Sequence, residues 1–191
     1  RNRPAGKPFF AVFNHERTHE SCLLPMPPAR GAAPSAAGAA AGLAAPTGAA
    51  GVEVTGMGPA PTSGTVKPAD VRIPAYLPDT PEMREDRSRY YNAMELMDAQ
   101  IGIKLKELAD VGLAEDTVVF YYSDNGGILP RSKRYCTDEG LRCALVVALP
   151  KKWAHLSAVP MGSEIKGPVS FIDLAPTLLS IAGVPTPAQM Q

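Results

Sequence analysis

The chain has 191 residues, 19 basic and 19 acidic, for a formal net charge of zero. That length holds one ordinary domain, and the charge balance gives no electrostatic basis for a nucleic-acid or anionic-membrane partner. No run of 18 apolar residues occurs, so no transmembrane helix is expected, and three cysteines without CxxC spacing specify neither a zinc site nor a disulfide framework.

The first residues lack an initiator Met and an apolar stretch of signal-peptide type. Residues 9–13 (FFAVF) then begin abruptly as a core strand, so the chain is expected to be an internal piece of something longer. Residues 14–21 form the polar loop leaving that strand, with His15 and His19 on it. Residues 26–67 differ in kind: within 26–64, 27 of 39 residues are Ala, Gly or Pro. Small side chains bury too little area to offset chain ordering, and Gly and Pro interrupt any helix, which predicts a disordered or loosely held insert. A stretch read in the wrong frame of a GC-rich gene would have the same composition. The expected organisation is one incomplete domain: a strand and His loop over 1–25, the insert over 26–67 and an α/β core segment over 68–191.

Order is expected to resume near Val71. Asp79-Thr80-Pro81-Glu82 is a helix start, with Thr80 as cap, Pro81 at the first position and Glu82 at the positive helix end. Met94, Met97, Ile101, Leu105 and Leu108 recur at helical spacing, and Gly112 is a plausible stop. The helix is expected over about 81–111, with a bend or break near Gly102. Asp98 falls on the apolar stripe, where a buried carboxylate needs a partner, either a structural hydrogen bond or a catalytic one.

Residues 117–122 (TVVFYY) predict a buried strand, followed by a loop over 124–140 and a second buried strand over 141–149. A short helix is expected over 174–183, with Asp173 as cap, Pro176 in its first turn and Gly183 at its end. His155 follows Trp153 in a loop and reads as structural or exposed. Cys22, Cys136 and Cys143 read as small apolar fillers, with a Cys136–Cys143 bridge as the alternative. This alternation of strands and helices argues for α/β with a largely parallel sheet. The first of these strands closes on Ser123-Asp124-Asn125-Gly126. A carboxylate and an amide oxygen at the end of such a strand sit where open α/β sheets bind ligands, and both are hard donors suited to Ca²⁺ or Mg²⁺. Two oxygens cannot fill a Ca²⁺ shell of roughly six to eight, so the other ligands must come from elsewhere.

Five blocks in order resemble the sulfatase family: residues 9–21, 73–84, 97–102, 112–127 and 171–179. The resemblance covers roughly 8–24 and 68–186 and leans towards sulfamidase-like and other heparan-type sulfatases. It implies an alkaline-phosphatase-like sandwich, incomplete here, with a mostly parallel sheet flanked by helices. It also implies metal-assisted hydrolysis of sulfate esters or sulfamates, in small molecules or glycans, by a formylglycine nucleophile. Asp124 and Asn125 match the family's second pair of ligands to a divalent metal, usually Ca²⁺. His19 matches the histidine that contacts the sulfate and can protonate the leaving oxygen. Lys133 matches the lysine that holds the sulfate, with Arg134 as the fallback. Relatives of this kind are commonly periplasmic, secreted or lysosomal.

The chain departs from the family pattern at the nucleophile. None of Cys22, Cys136 and Cys143 has the Pro or Ala two residues on and the Arg four residues on that formylglycine formation requires. The early Asp-Asp metal pair is also absent. The chain by itself is therefore expected to be catalytically inactive and prone to aggregate along an unpaired sheet edge. A phosphodiesterase or phosphonate hydrolase of the same superfamily is the alternative, as is a non-catalytic remnant. The loop after Gly126 carries Lys133 and Arg134 and no His, which favours sulfate.

Overall fold

The computed structural model describes residues 6–20, 23 and 64–190. Most of the expected insert (26–63) and Cys22 lie outside the described residues. The elements are helix α1 (Pro81–Asp110), strand β1 (Val119–Tyr122), the helical turn α2 (Asp138–Leu141), strand β2 (Leu145–Ala148) and helix α3 (Leu174–Ile181). Short 3-10 segments lie at Ala114–Asp116, Lys151–Leu156 and Phe171–Asp173. No helix among the described residues is long and apolar enough to cross a membrane.

Helix α1 forms where its end signals place it. Thr80 is extended and its hydroxyl accepts from the Met83 amide at 3.2 Å, Pro81 opens the first turn, and Glu82 lies at the positive end. Gly112, with φ of +71°, follows the C-cap Val111. The helix runs 30 residues without a break at Gly102, contrary to the expected interruption. Its buried face also differs from the apolar stripe. Ser88, Asn92, Ala93 and Gln100 are buried, whereas Met94, Leu105 and Asp98 are exposed. Asp98 therefore needs no buried partner.

Strands β1 and β2 form one two-stranded sheet, the only one among the described residues. The Ser123 amide, just past the end of β1, donates to the Ala144 carbonyl, just before β2, at 3.1 Å, an antiparallel register. The α/β class stands, but the mostly parallel sheet is not what these residues hold. Both strands are four residues long, shorter than expected. β1 is half-buried and β2 is exposed along its length, because nothing among the described residues covers its faces. Residues 9–13 are not a strand: among the described residues no strand pairs with them, and Phe10, Val12 and Phe13 are exposed.

The chain divides into two compact units, residues 1–111 with 122–145 and residues 112–121 with 146–191. In the first, a segment over 64–79 is strapped onto α1. The Asn92 amide accepts from the Val66 N–H and donates to the Val66 carbonyl, both at 3.0 Å. Arg84 donates to the carbonyls of Pro68 and Val71 at 3.3 and 3.2 Å, and grips Asp79 through Nε and Nη2 at 2.5 and 2.7 Å. Thr65 adds a hydrogen bond to Glu95. Buried Leu23 and Ala93 make a small apolar core with Tyr90 and Ile128.

In the second unit, Asp116 pairs with Lys152, and Thr117 donates to the Leu113 carbonyl at 2.8 Å. Residues 151–156 are helical, so His155 sits on a 3-10 turn, exposed. The start of the last helical segment lies one turn earlier than expected. Ser170 is the cap, and Asp173 acts as the third helical residue of a capping box, accepting from the Ser170 amide at 2.9 Å.

Candidate functional site

The first unit carries all five residues singled out from the sequence, on three segments. The His loop is held to α1 by side chains of the loop itself. His15 Nδ1 pairs with Gln100 Oε1 at 3.2 Å, and the Thr18 hydroxyl contacts Met97 Sδ at 3.6 Å. The His19 amide closes a turn onto the Glu16 carbonyl at 3.0 Å, and buried Leu23 pins the loop's far end. This leaves the His19 side chain exposed and gives His15 a structural contact.

The second segment is the turn after β1. Gly126 donates to the Gly140 carbonyl at 3.2 Å, and a Cβ on Gly126 would fall 2.2 Å from the Glu139 carbonyl oxygen. Only glycine permits that approach. Gly127 lies against the Tyr90 hydroxyl of α1. Asp124 is exposed and Asn125 half-buried.

The third segment, residues 129–137, is folded tightly on itself. Ser132 is buried and donates through its hydroxyl to the Glu139 carbonyl at 3.0 Å. Thr137 donates to the Arg131 carbonyl at 2.5 Å, and the Tyr135 amide to the Ser132 carbonyl at 3.1 Å. Arg131 and Arg134 both have left-handed backbones, with φ of 69° and 73°. Each costs about 1–2 kcal/mol for a residue with a Cβ, a cost the surrounding hydrogen bonds offset. They flank Lys133, whose amide donates to the Gly127 carbonyl at 2.7 Å, tying this segment to the Asp-Asn turn.

One side chain joins the His loop to the cationic loop. Glu20, next to His19, receives Arg134 Nη2 at 2.7 Å and lies 3.9 Å from Lys133 Nζ. Lys133 and Arg134 are thereby brought to the residue next to His19 in the chain. Asp124 and Asn125 are linked to them through the Gly127–Lys133 backbone bond. Sequence reasoning missed Glu20. Its signal was an acid beside a candidate histidine with a Lys-Arg pair elsewhere, but the partner lies 114 positions away.

Among the described residues no three His, Cys, Asp or Glu side chains converge on a metal-sized site. Asp124 and Asn125 have the donor chemistry for Ca²⁺ or Mg²⁺, and as two oxygens they would supply only part of a shell of roughly six to eight. Cys136 and Cys143 are free thiols.

The chain is similar to known sulfatases. The family model described as Sulfatase matches residues 1–184. An ulvan-active sulfatase of Formosa agariphila is 38% identical, aligned over all of this chain and 31% of the relative. Human N-sulphoglucosamine sulphohydrolase is 34% identical over 70% of the chain and 26% of the relative. An N-acetylglucosamine-6-O-sulfatase of Bacteroides thetaiotaomicron is 31% identical over 53% of the chain and 18% of its own length. The chain thus spans less than a third of the length of these curated relatives. With the match extending across nearly the whole sequence, the chain belongs to the sulfatase family.

Proposed function

We propose that this chain supplies the leaving-group and sulfate-holding side of a sulfuric-ester or sulfamate hydrolase acting on sulfated glycans. The observation that carries the proposal is Glu20, which draws Lys133 and Arg134 to the residue beside His19. Before substrate arrives, the Glu20 carboxylate balances the two cations. A sulfate ester group then exchanges for it, because its three nonbridging oxygens, sharing one negative charge, offer Lys133 and Arg134 more acceptors than the two oxygens of a carboxylate. His19, exposed, can hand a proton to the bridging oxygen as the S–O bond breaks. Asp124 and Asn125 would hold Ca²⁺, or Mg²⁺, which when bound draws charge from the nonbridging oxygens. The family's attacking group is a formylglycine, which no cysteine of this chain matches in sequence.

Calcium titration by calorimetry tests the metal pair. Asp124→Ala is expected to weaken Ca²⁺ binding at least about tenfold, since it removes the one formal charge of the pair. Unchanged binding refutes the assignment. The 191-residue chain alone is expected to hydrolyse no aryl sulfate, and turnover abolished by Asp124→Ala would overturn that reading.

A further inference from the structure

Most basic side chains of α1 have an acidic neighbour: Arg84 has Asp79, Lys104 has Glu107 and Lys106 has Asp110. Arg87 of α1 does not, nor does Arg72 on the strap: among the described residues neither makes an ion pair. Both line an open depression of about 280 Å³, together with Pro74, Ala75 and Tyr76. Arg87 stacks on Tyr91, its guanidinium carbon 5.3 Å from the ring centroid, and its Nε is buried without a hydrogen-bond partner. A third cation borders the same wall: the Arg131 guanidinium lies 5.3 Å from the centroid of the Tyr76 ring. Glu139, the acid beside this wall, is engaged by the Tyr76 hydroxyl.

The framework under these groups is fixed. The strap carrying Arg72 and Tyr76 is clamped by Asn92 and Arg84, and the Leu77 amide closes a turn onto the Pro74 carbonyl at 3.0 Å. Arg131 is held by its left-handed backbone and the Thr137 hydroxyl. Three guanidinium groups gathered around one concavity, with the single carboxylate of Glu139 beside them, repel one another, and a bound oxyanion reduces that cost. Guanidinium forks match the paired oxygens of sulfate and carboxylate groups.

We propose that Arg72, Arg87 and Arg131, with the Tyr76 ring as an apolar wall, form an anion subsite. It takes an additional sulfate or carboxylate group on the glycan whose scissile sulfate lies at Lys133. The anion site stands on its own geometry; its assignment to a glycan rests on the sulfuric-ester reading.

Calorimetric titration of the 191-residue chain with sodium sulfate and, separately, sodium glucuronate tests it. Arg72→Gln is expected to weaken binding of at least one of the two anions roughly five- to tenfold. Its melting temperature should not move, because Arg72 is exposed and holds no partner. Sulfate affected more than glucuronate identifies a sulfate subsite, and the reverse a uronate subsite. Lys133→Ala should leave the Arg72-dependent binding intact. Anion binding unaltered by Arg72→Gln, binding lost only with Lys133→Ala, or no saturable binding of either anion overturns the proposal. If Arg72→Gln weakens binding while Lys133→Ala changes nothing, the subsite stands and the Lys133 assignment fails.

Discussion

Replacing Gly126 by Ala puts a methyl group where there is no room. The added Cβ would fall 2.2 Å from the Glu139 carbonyl oxygen and 2.8 Å from both Gly140 Cα and Ser132 Oγ. A comfortable carbon–oxygen contact is about 3.4 Å, so the backbone must part by more than an ångström. Two of those neighbours are backbone atoms, which cannot rotate away. Parting also stretches the Gly126–Gly140 bond (3.2 Å) and disturbs the Ser132 bond to the same Glu139 oxygen (3.0 Å). Overpacking costs about 1–3 kcal/mol and each weakened hydrogen bond about 1, so the expected loss is about 2–4 kcal/mol. Gly102→Ala is the internal control. It lies within α1 with nothing near its missing Cβ, and is expected to stabilise by about 0.5–1 kcal/mol. Urea unfolding followed by circular dichroism, with slopes compared, reads both. A Gly126→Ala midpoint equal to that of the parent chain would refute the close-packed turn and the placement of Asp124 and Asn125 built on it.

Asn92→Ala leaves the Val66 N–H and carbonyl without their partner and should cost about 2–4 kcal/mol, with faster hydrogen exchange confined to residues 64–79. Exchange rates there equal to those of the parent chain would contradict the strap. Arg84 donates to Asp79 and holds its carboxyl below the usual carboxylate range. A lowered folded-state value means the contribution is whole above the ordinary range and lost as pH falls through the lowered one. The stability difference between the parent and Asp79→Asn should therefore be flat at neutral pH and close only in acid; a difference that grows in acid would refute the pairing. Glu20→Gln removes the carboxylate that competes with a bound anion at Lys133. Because the ion pair is partly exposed, stability should change by less than about 1 kcal/mol, while inorganic sulfate binds a few-fold tighter by calorimetry. Weaker sulfate binding would count against Lys133 as an anion ligand.

The extent of α1 was legible because its signals are local: a Thr cap, a Pro and an acid at one end and a glycine at the other. Which face it buries was not. The periodic residues Met94, Ile101 and Leu105 suggested an apolar seam, yet the buried side chains are Ala93 and the polar Ser88, Asn92 and Gln100. The reason is what lies on the helix. The strap brings a bare peptide unit at Val66 and the His loop brings an imidazole, and both need amide partners rather than methyl groups. Nothing in the helix sequence announces that demand. The candidate site shows the same division. The Asp-Asn turn stood out because glycine follows it directly, whereas Glu20 became meaningful only when Arg134 reached it. Strand limits were overestimated because apolar runs mark where a sheet could form, while pairing requires a neighbour in register.

The spacing of these ties along the chain sets an order of assembly. The clamp of Asn92 on Val66 closes a loop of 26 positions, and that of Arg84 on Val71 one of 13. The bond between Glu20 and Arg134 closes one of 114. By the logarithmic cost of loop closure, the long tie demands about 1.3 kcal/mol more entropy than the 26-position one. The strap is thus positioned to zip onto nascent α1 early, and the Glu20 carboxylate and Arg134 guanidinium meet late. Heating should undo them in reverse, so the tie between Glu20 and Arg134 opens while the longest helix is still wound.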